Sequence, residues 1–170
     1  FSLSETFAYE KDKITGYILA GIHPFINLRI DGFETIGNRY DNYFDLVTTN
    51  IPFGDIAVFD PSFSTSRNPT RKSATKKIHN YYFLKALDVT RNGGIIAFIT
   101  SQGVMDTSGN SDVRREILSH ADLITAVRFP NNLFTENANT QVGSDLVILR
   151  KNSSKQALAD AEEDFLNTVS

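Results

Sequence analysis

The sequence contains no cysteine, no tryptophan and a single methionine. Without a thiol there is no disulfide framework, no thiolate metal site and no cysteine nucleophile. No apolar run approaches the roughly 18 residues that a membrane-spanning helix needs. A surplus of positive charge is missing as well. Seventeen Lys and Arg stand against twenty Asp and Glu, a net charge of −3, so any contact with nucleic acid must rest on a local patch. His23, His79 and His120 are too far apart in sequence to suggest a metal-ligand set, and no GxGxxG occurs. The pairs Gly16/Gly21 and Gly32/Gly37 have Walker-like spacing, but neither is followed by Lys-Ser/Thr, so a P-loop is excluded. Also missing are an initiator Met and the charged-then-apolar pattern of a signal peptide. The chain reads as entered in mid-course.

What remains is 170 residues of ordinary composition, 41% apolar and 22% charged, which fits one globular domain. Strand-like and helix-like stretches alternate along it. Thr6 to Glu10 predicts a short strand, and Asp12 caps a helix with Ile14, Tyr17, Ile18 and Ile22 at helical spacing, stopped by Pro24. Ile26 to Ile30 and Phe44 to Thr49 predict strands, the latter buried. Residues 54–75, rich in Gly, Pro, Ser, Thr and basic side chains, predict a long loop. A helix over Lys77 to about Asn92, ended by Gly93-Gly94, leads into an unalternating strand, Ile95 to Thr100. Ser111 caps a short helix, Leu123 to Phe129 and Asp145 to Arg150 predict strands, and Ser154 begins a terminal helix. This alternation predicts an α/β fold, a mostly parallel sheet with helices on both faces and its site beyond the carboxyl ends of the strands.

The strand FDLVTT drives into Asn50-Ile51-Pro52-Phe53 at the end where such folds place chemistry. An Asn amide oxygen accepts a hydrogen bond from an amino group. The Ile51 carbonyl, turned by the restriction that Pro52 places on the residue before it, accepts a second. Phe53 offers a flat face to a planar base. The set suits an exocyclic amino group on an aromatic ring. A strand-ending Asn-Pro turn with a core Phe is the plainer alternative, and Asp60-Pro61-Ser62-Phe63 carries a similar pattern in the irregular segment.

Asn50-Ile51-Pro52-Phe53 resembles the (Asn/Asp/Ser)-Pro-Pro-aromatic motif of S-adenosylmethionine-dependent amino-methyltransferases, with Ile51 in place of the usual Pro. The Asn form resembles the N6-adenine DNA methyltransferases of restriction–modification type. Tyr9-Glu10-Lys11-Asp12 resembles the acidic strand end that holds the cofactor ribose, Glu10 in that role. Ile30-Asp31-Gly32-Phe33-Glu34 resembles the segment at the cofactor adenine, with Asp31 the candidate and Glu34 the other choice. His79 to Phe83 with Gly93 to Ser101, Arg128 to Thr140 and Ser144 to Lys151 resemble the later segments of large bacterial N6 methylases, including type I modification subunits.

The resemblance implies a Rossmann-like methyltransferase sheet, mostly parallel with a C-terminal antiparallel strand. It implies residues 1–152 as a partial catalytic domain, with 153–170 as a C-terminal helix or linker. Asn50, Ile51, Pro52 and Phe53 are then catalytic, and Glu10, Asp31 and Asn50 hold S-adenosyl-L-methionine. No metal is needed. The implied partner is double-stranded DNA, with target recognition supplied by a module elsewhere, in a cytoplasmic setting. The family's glycine-rich cofactor loop is missing ahead of Glu10, together with its strand. In the family that strand lies centrally, so unpaired edges and pairing with a second copy are expected. Arg67, Arg71, Lys72, Lys76 and Lys77 form a basic stretch that either touches phosphate or is merely solvated. A degenerate, non-catalytic methylase-like module is the competing reading, and a Rossmann dehydrogenase is disfavoured by the absent GxGxxG.

Overall fold

The computed structural model describes residues 5–130 and 143–167. The Asn-rich stretch 131–139 and Thr140, both part of the resemblance, lie outside these residues. The chain divides into two compact units, Phe1–Gly37 and Asn38–Ser170.

In the first unit β1 (Phe7–Tyr9) and β2 (Asn27–Arg29) pair in parallel, with Phe7 opposite Asn27 and Tyr9 opposite Arg29. The crossover is α1 (Lys13–Ile22). Asp12 caps it as expected, its carboxylate accepting the Thr15 N–H at 2.8 Å. The expected apolar face does not pack within its own unit, however: Ile14, Tyr17, Ile18 and Ile22 are all exposed. The helix instead turns its smallest residue to the sheet. A Cβ on Gly16 would meet Ile30 at 2.9 Å, so only glycine permits this approach.

The second unit holds a sheet in the order β3 (Phe44–Asn50), β4 (Thr90–Ser101), β6 (Ser144–Lys151), β5 (Ala121–Arg128). β3 and β4 run parallel, and β6 is antiparallel to both its neighbours, so the expected closing strand is present. Among the described residues β3 has a single strand neighbour. Leu46, Thr48 and Asn50, alternate residues on one face of β3, are exposed, so that face is uncovered in a strand expected to be buried.

Two sequence expectations are corrected here. Residues 54–75 are not one long loop. Asp60 and Asn68 cap two short helices, α2 (Pro61–Ser64) and α3 (Pro69–Ala74), each with Pro in its first turn. Nor does Gly93-Gly94 end the next helix. α4 (Ile78–Val89) stops four residues earlier and β4 begins at once. The glycines form a bulge inside β4: Phe44 pairs with Thr90 but Leu46 with Ile95. Gly93 takes a φ of +78°, and a Cβ on Gly94 would lie 3.0 Å from the Phe44 carbonyl.

The core forms around α4, whose Ile78, Tyr81, Phe83, Leu84 and Leu87 are buried, and around Ile96 and Phe98 of β4. α5 (Gly103–Asp106) follows β4, and α6 (Ser111–His120) buries Val113, Ile117 and Leu118. The terminal helix α7 (Asp160–Asn167) starts six residues later than Ser154 and buries Phe165 and Leu166 with Leu118. Glu162 fixes its position, accepting the Leu123 N–H at 2.7 Å and pairing with Lys155 at 2.6 Å.

Candidate active site

Asn50 is the last residue of β3, opposite Ile99 of β4. Its side chain is exposed and, among the described residues, makes no hydrogen bond. Ile51 anchors the turn: its N–H donates to the Ile99 carbonyl at 2.9 Å and its side chain is fully buried in the core. An apolar residue that still donates to the neighbouring strand accounts for Ile where the motif usually has Pro. Gly54 then takes a φ of +133°, a conformation that L side chains rarely adopt, and lets the chain turn away after Phe53.

Phe53 stacks on His79 of α4, ring centroids 6.4 Å apart at 28°. His79 in turn meets the Thr100 hydroxyl through Nδ1 at 2.8 Å. Burial lowers the His79 pKa below its ordinary value, against the pull of Asp55, so the ring is neutral at pH 7. A cavity of about 260 Å³ opens here, at the carboxyl ends of β3 and β4, lined by Gly54, Asp55, Lys77, His79, Asn80 and Asn110 among others. His79 and Asn80 were legible only as part of a helical segment. The signal that would have marked them is a pair of polar residues at buried positions of an otherwise apolar helix.

Asp60, the start of the competing motif, is a helix cap whose carboxylate is engaged within the fold. Its Oδ1 accepts from Ser62 and Phe63, while Oδ2 accepts from the Tyr81 hydroxyl at 2.7 Å and Lys85 Nζ at 3.2 Å. Burial alone would raise its pKa, but these donors outweigh it and hold the carboxyl down at about 2. Every oxygen of this carboxylate is already used inside the fold.

In the first unit, Glu10 and Asp31 stand at the carboxyl ends of the paired strands β1 and β2. Glu10 Oε1 accepts the Asp12 N–H at 2.8 Å and Asp31 Oδ1 the Gly32 N–H at 2.8 Å. Each keeps an oxygen that, among the described residues, has no partner. Glu34, the other choice, is tied to Lys11 at 3.0 Å. No group of three His, Asp or Glu suited to a metal occurs among the described residues.

Parallel strands ending in an acidic residue or an Asn-x-Pro-aromatic turn, closed by an antiparallel strand, define a Rossmann-like methyltransferase fold. The family model described as N-6 DNA Methylase matches residues 18–168, and the chain belongs to that family. It is 27% identical over 152 residues to "Defense against restriction protein B" of Escherichia phage P1, covering 88% of this chain but 6% of that protein. A structure assigned as a modification subunit of a type I restriction enzyme from Vibrio vulnificus superposes with a TM-score of 0.70 at 16% identity, over 86% of this chain and 32% of that one. A protein assigned as a class I S-adenosylmethionine-dependent methyltransferase from Listeria monocytogenes superposes with a TM-score of 0.68 at 14% identity, over 91% of this chain and 46% of that one. The chain therefore spans less than half the length of these relatives.

Proposed function

We propose that this chain is the later part of an adenine-N6 DNA methyltransferase domain, with residues 1–152 forming the partial catalytic domain and 153–170 a C-terminal helix or linker. The observation that carries the reading is the Asn50–Phe53 turn: an unengaged amide at a strand end, held by a buried Ile51, with a stacked aromatic beside it. A target adenine is rotated out of the duplex, because a base inside the stack cannot meet a methyl donor in line. The Asn50 side-chain oxygen and the Ile51 carbonyl accept the two N6 hydrogens and point the nitrogen lone pair. Phe53 stacks on the ring, an interaction worth about 1–3 kcal/mol per base in single-strand binders. With its lone pair so aimed, N6 would be placed to receive the methyl group that the bound cofactor would supply, its displaced proton passing to solvent. The chain's contribution is positioning.

S-adenosylmethionine, when bound, supplies the electrophilic methyl group. The residues of the first unit suit it. Glu10 is pre-oriented by the Asp12 N–H and retains an acceptor for a ribose hydroxyl, and Asp31 is fixed in the same way by Gly32. Asn50 is a third candidate for binding it. Double-stranded DNA is the partner, and target selection falls to a separate recognition module. Calorimetry with S-adenosylmethionine on this chain and on an upstream-extended version tests the reading. Strong binding and adenine methylation by the longer chain are expected. Neither binding nor methylation there would favour a non-catalytic module instead.

A further inference from the structure

We propose that the cavity beside the Asn50–Phe53 turn is a second nucleobase subsite, distinct from the reacting position, which selects bases carrying an amino group through Asn80. The inference rests on the nucleic-acid reading above, since it names what this site also takes. Asn50 and Phe53 do not line the cavity, so a base held there is not in place to react.

The selectivity follows from a chain of amides whose orientation is forced. Asn110 Nδ2 donates to the Gly103 carbonyl at 2.6 Å, which fixes Asn110 Oδ1 as an acceptor. Only a donor can face that oxygen, so the amide nitrogen of Asn80 must, and it does at 3.0 Å. Asn80 Oδ1 is therefore an acceptor by necessity. It is buried and has no hydrogen-bond partner, while the residue is 5% exposed and lines the cavity. Swapping the Asn80 amide alone would set oxygen against oxygen at Asn110, and swapping both amides would do so at the Gly103 carbonyl, so the orphan acceptor is a consequence of the fold.

An orphan buried acceptor calls for a ligand N–H or O–H. Asp55 adds a second acceptor to the lining, and Lys77 offsets its charge, so the cavity suits a neutral ligand better than an anion or a cation. A metal ion is disfavoured because no three suitable ligands gather among the described residues. His79, stacked on Phe53, contributes a neutral planar ring to the lining. A heterocycle with an exocyclic amino group meets all three demands. One with a carbonyl at that point sets oxygen against oxygen and leaves Asn80 unpaired.

Heteronuclear NMR on the full chain with free adenosine, cytidine, inosine and uridine tests this. Adenosine and cytidine are expected to shift the side-chain amides of Asn80 and Asn110, and inosine and uridine to bind about tenfold more weakly. Asn80→Ser should remove the preference read at the Asn110 amide. Equal binding of adenosine and inosine to the unaltered chain overturns the proposal, whatever the variant does. So does the absence of any shift at the two amides. Cofactor binding and methyl transfer play no part in these readouts, so failure here and failure of the methyltransferase reading are separate results.

Discussion

Phe53 stacks on His79 with ring centroids 6.4 Å apart at 28°, and the same histidine is held by the Thr100 hydroxyl at 2.8 Å. The aromatic residue of the turn after β3 is thus oriented from β4 by way of α4. The imidazole does this as a neutral group.

His79 gives stability a pH dependence. Its folded pKa is lowered by burial, so the unfolded chain binds its proton more readily. Stability from this group is complete above the ordinary value of 6.5 and declines as pH falls from there toward the depressed native value. Urea midpoints between about pH 5 and 8 should show the decline. His79→Gln keeps a donor and an acceptor but does not titrate, and should flatten it. An unchanged slope in the variant would show that another group is responsible.

Asp60 is a stability residue. Lys85 and Asp60 form a buried pair 3.2 Å apart, with side chains 5% and 4% exposed. Removing the carboxylate leaves the ammonium buried and unpaired, a loss of about 3–5 kcal/mol. Asp60→Ala should lower the urea midpoint accordingly. Because the folded pKa is depressed to about 2, the stabilisation should be full above 3.8 and fade as pH drops through that interval.

The contrast between Asn50 and Asp60 explains how far sequence reasoning reaches. Both precede a Pro or an x-Pro and an aromatic residue, and the long apolar strand before Asn50 marks it as a strand end where Asp60 is a helix cap. The strands themselves were legible because apolar runs such as Ile95 to Thr100 have few other uses. The short helices α2 and α3 were not legible, since they are stabilised by Asp60 and Asn68 caps rather than by apolar periodicity. The bulge at Gly93 was missed for a related reason: a Gly pair after a helix signals a C-cap, and only the pairing of Phe44 with Thr90 shows that the strand has already begun. The orphan oxygen of Asn80 depends on Asn110, thirty residues away, and no local pattern records it.

The basic segment Arg67 to Lys77 divides into one engaged residue and four exposed ones, of which Lys77 lines the cavity. Arg71 is spent within the fold, bonded to Asp88 through two nitrogens, one at 3.0 Å, and lying 4.2 Å above the Phe63 ring. Arg67, Lys72 and Lys76 are exposed. Replacing these three with Ala should shallow the salt dependence of DNA binding by about 0.9 in log–log slope for each phosphate no longer neutralised. Arg71→Ala should instead reduce stability and leave the slope alone. An unchanged slope in the triple variant assigns the surface to solvation.

Neighbouring residues of the turn should fail in opposite ways. Asn50 is exposed and bonded only through its backbone, so Asn50→Ala removes an acceptor for N6 without disturbing packing. In a methylation-competent, upstream-extended protein it should cut turnover by at least about 100-fold while leaving the thermal midpoint unchanged. Ile51 is fully buried, so Ile51→Ala leaves a cavity and should cost about 2–5 kcal/mol of stability. Its carbonyl, proposed above as the second acceptor for N6, survives that change, so methyl transfer measured well below the lowered midpoint should fall far less than in Asn50→Ala. Equal drops in activity for the two variants would mean that the turn acts only as a scaffold and that Asn50 holds no amino group.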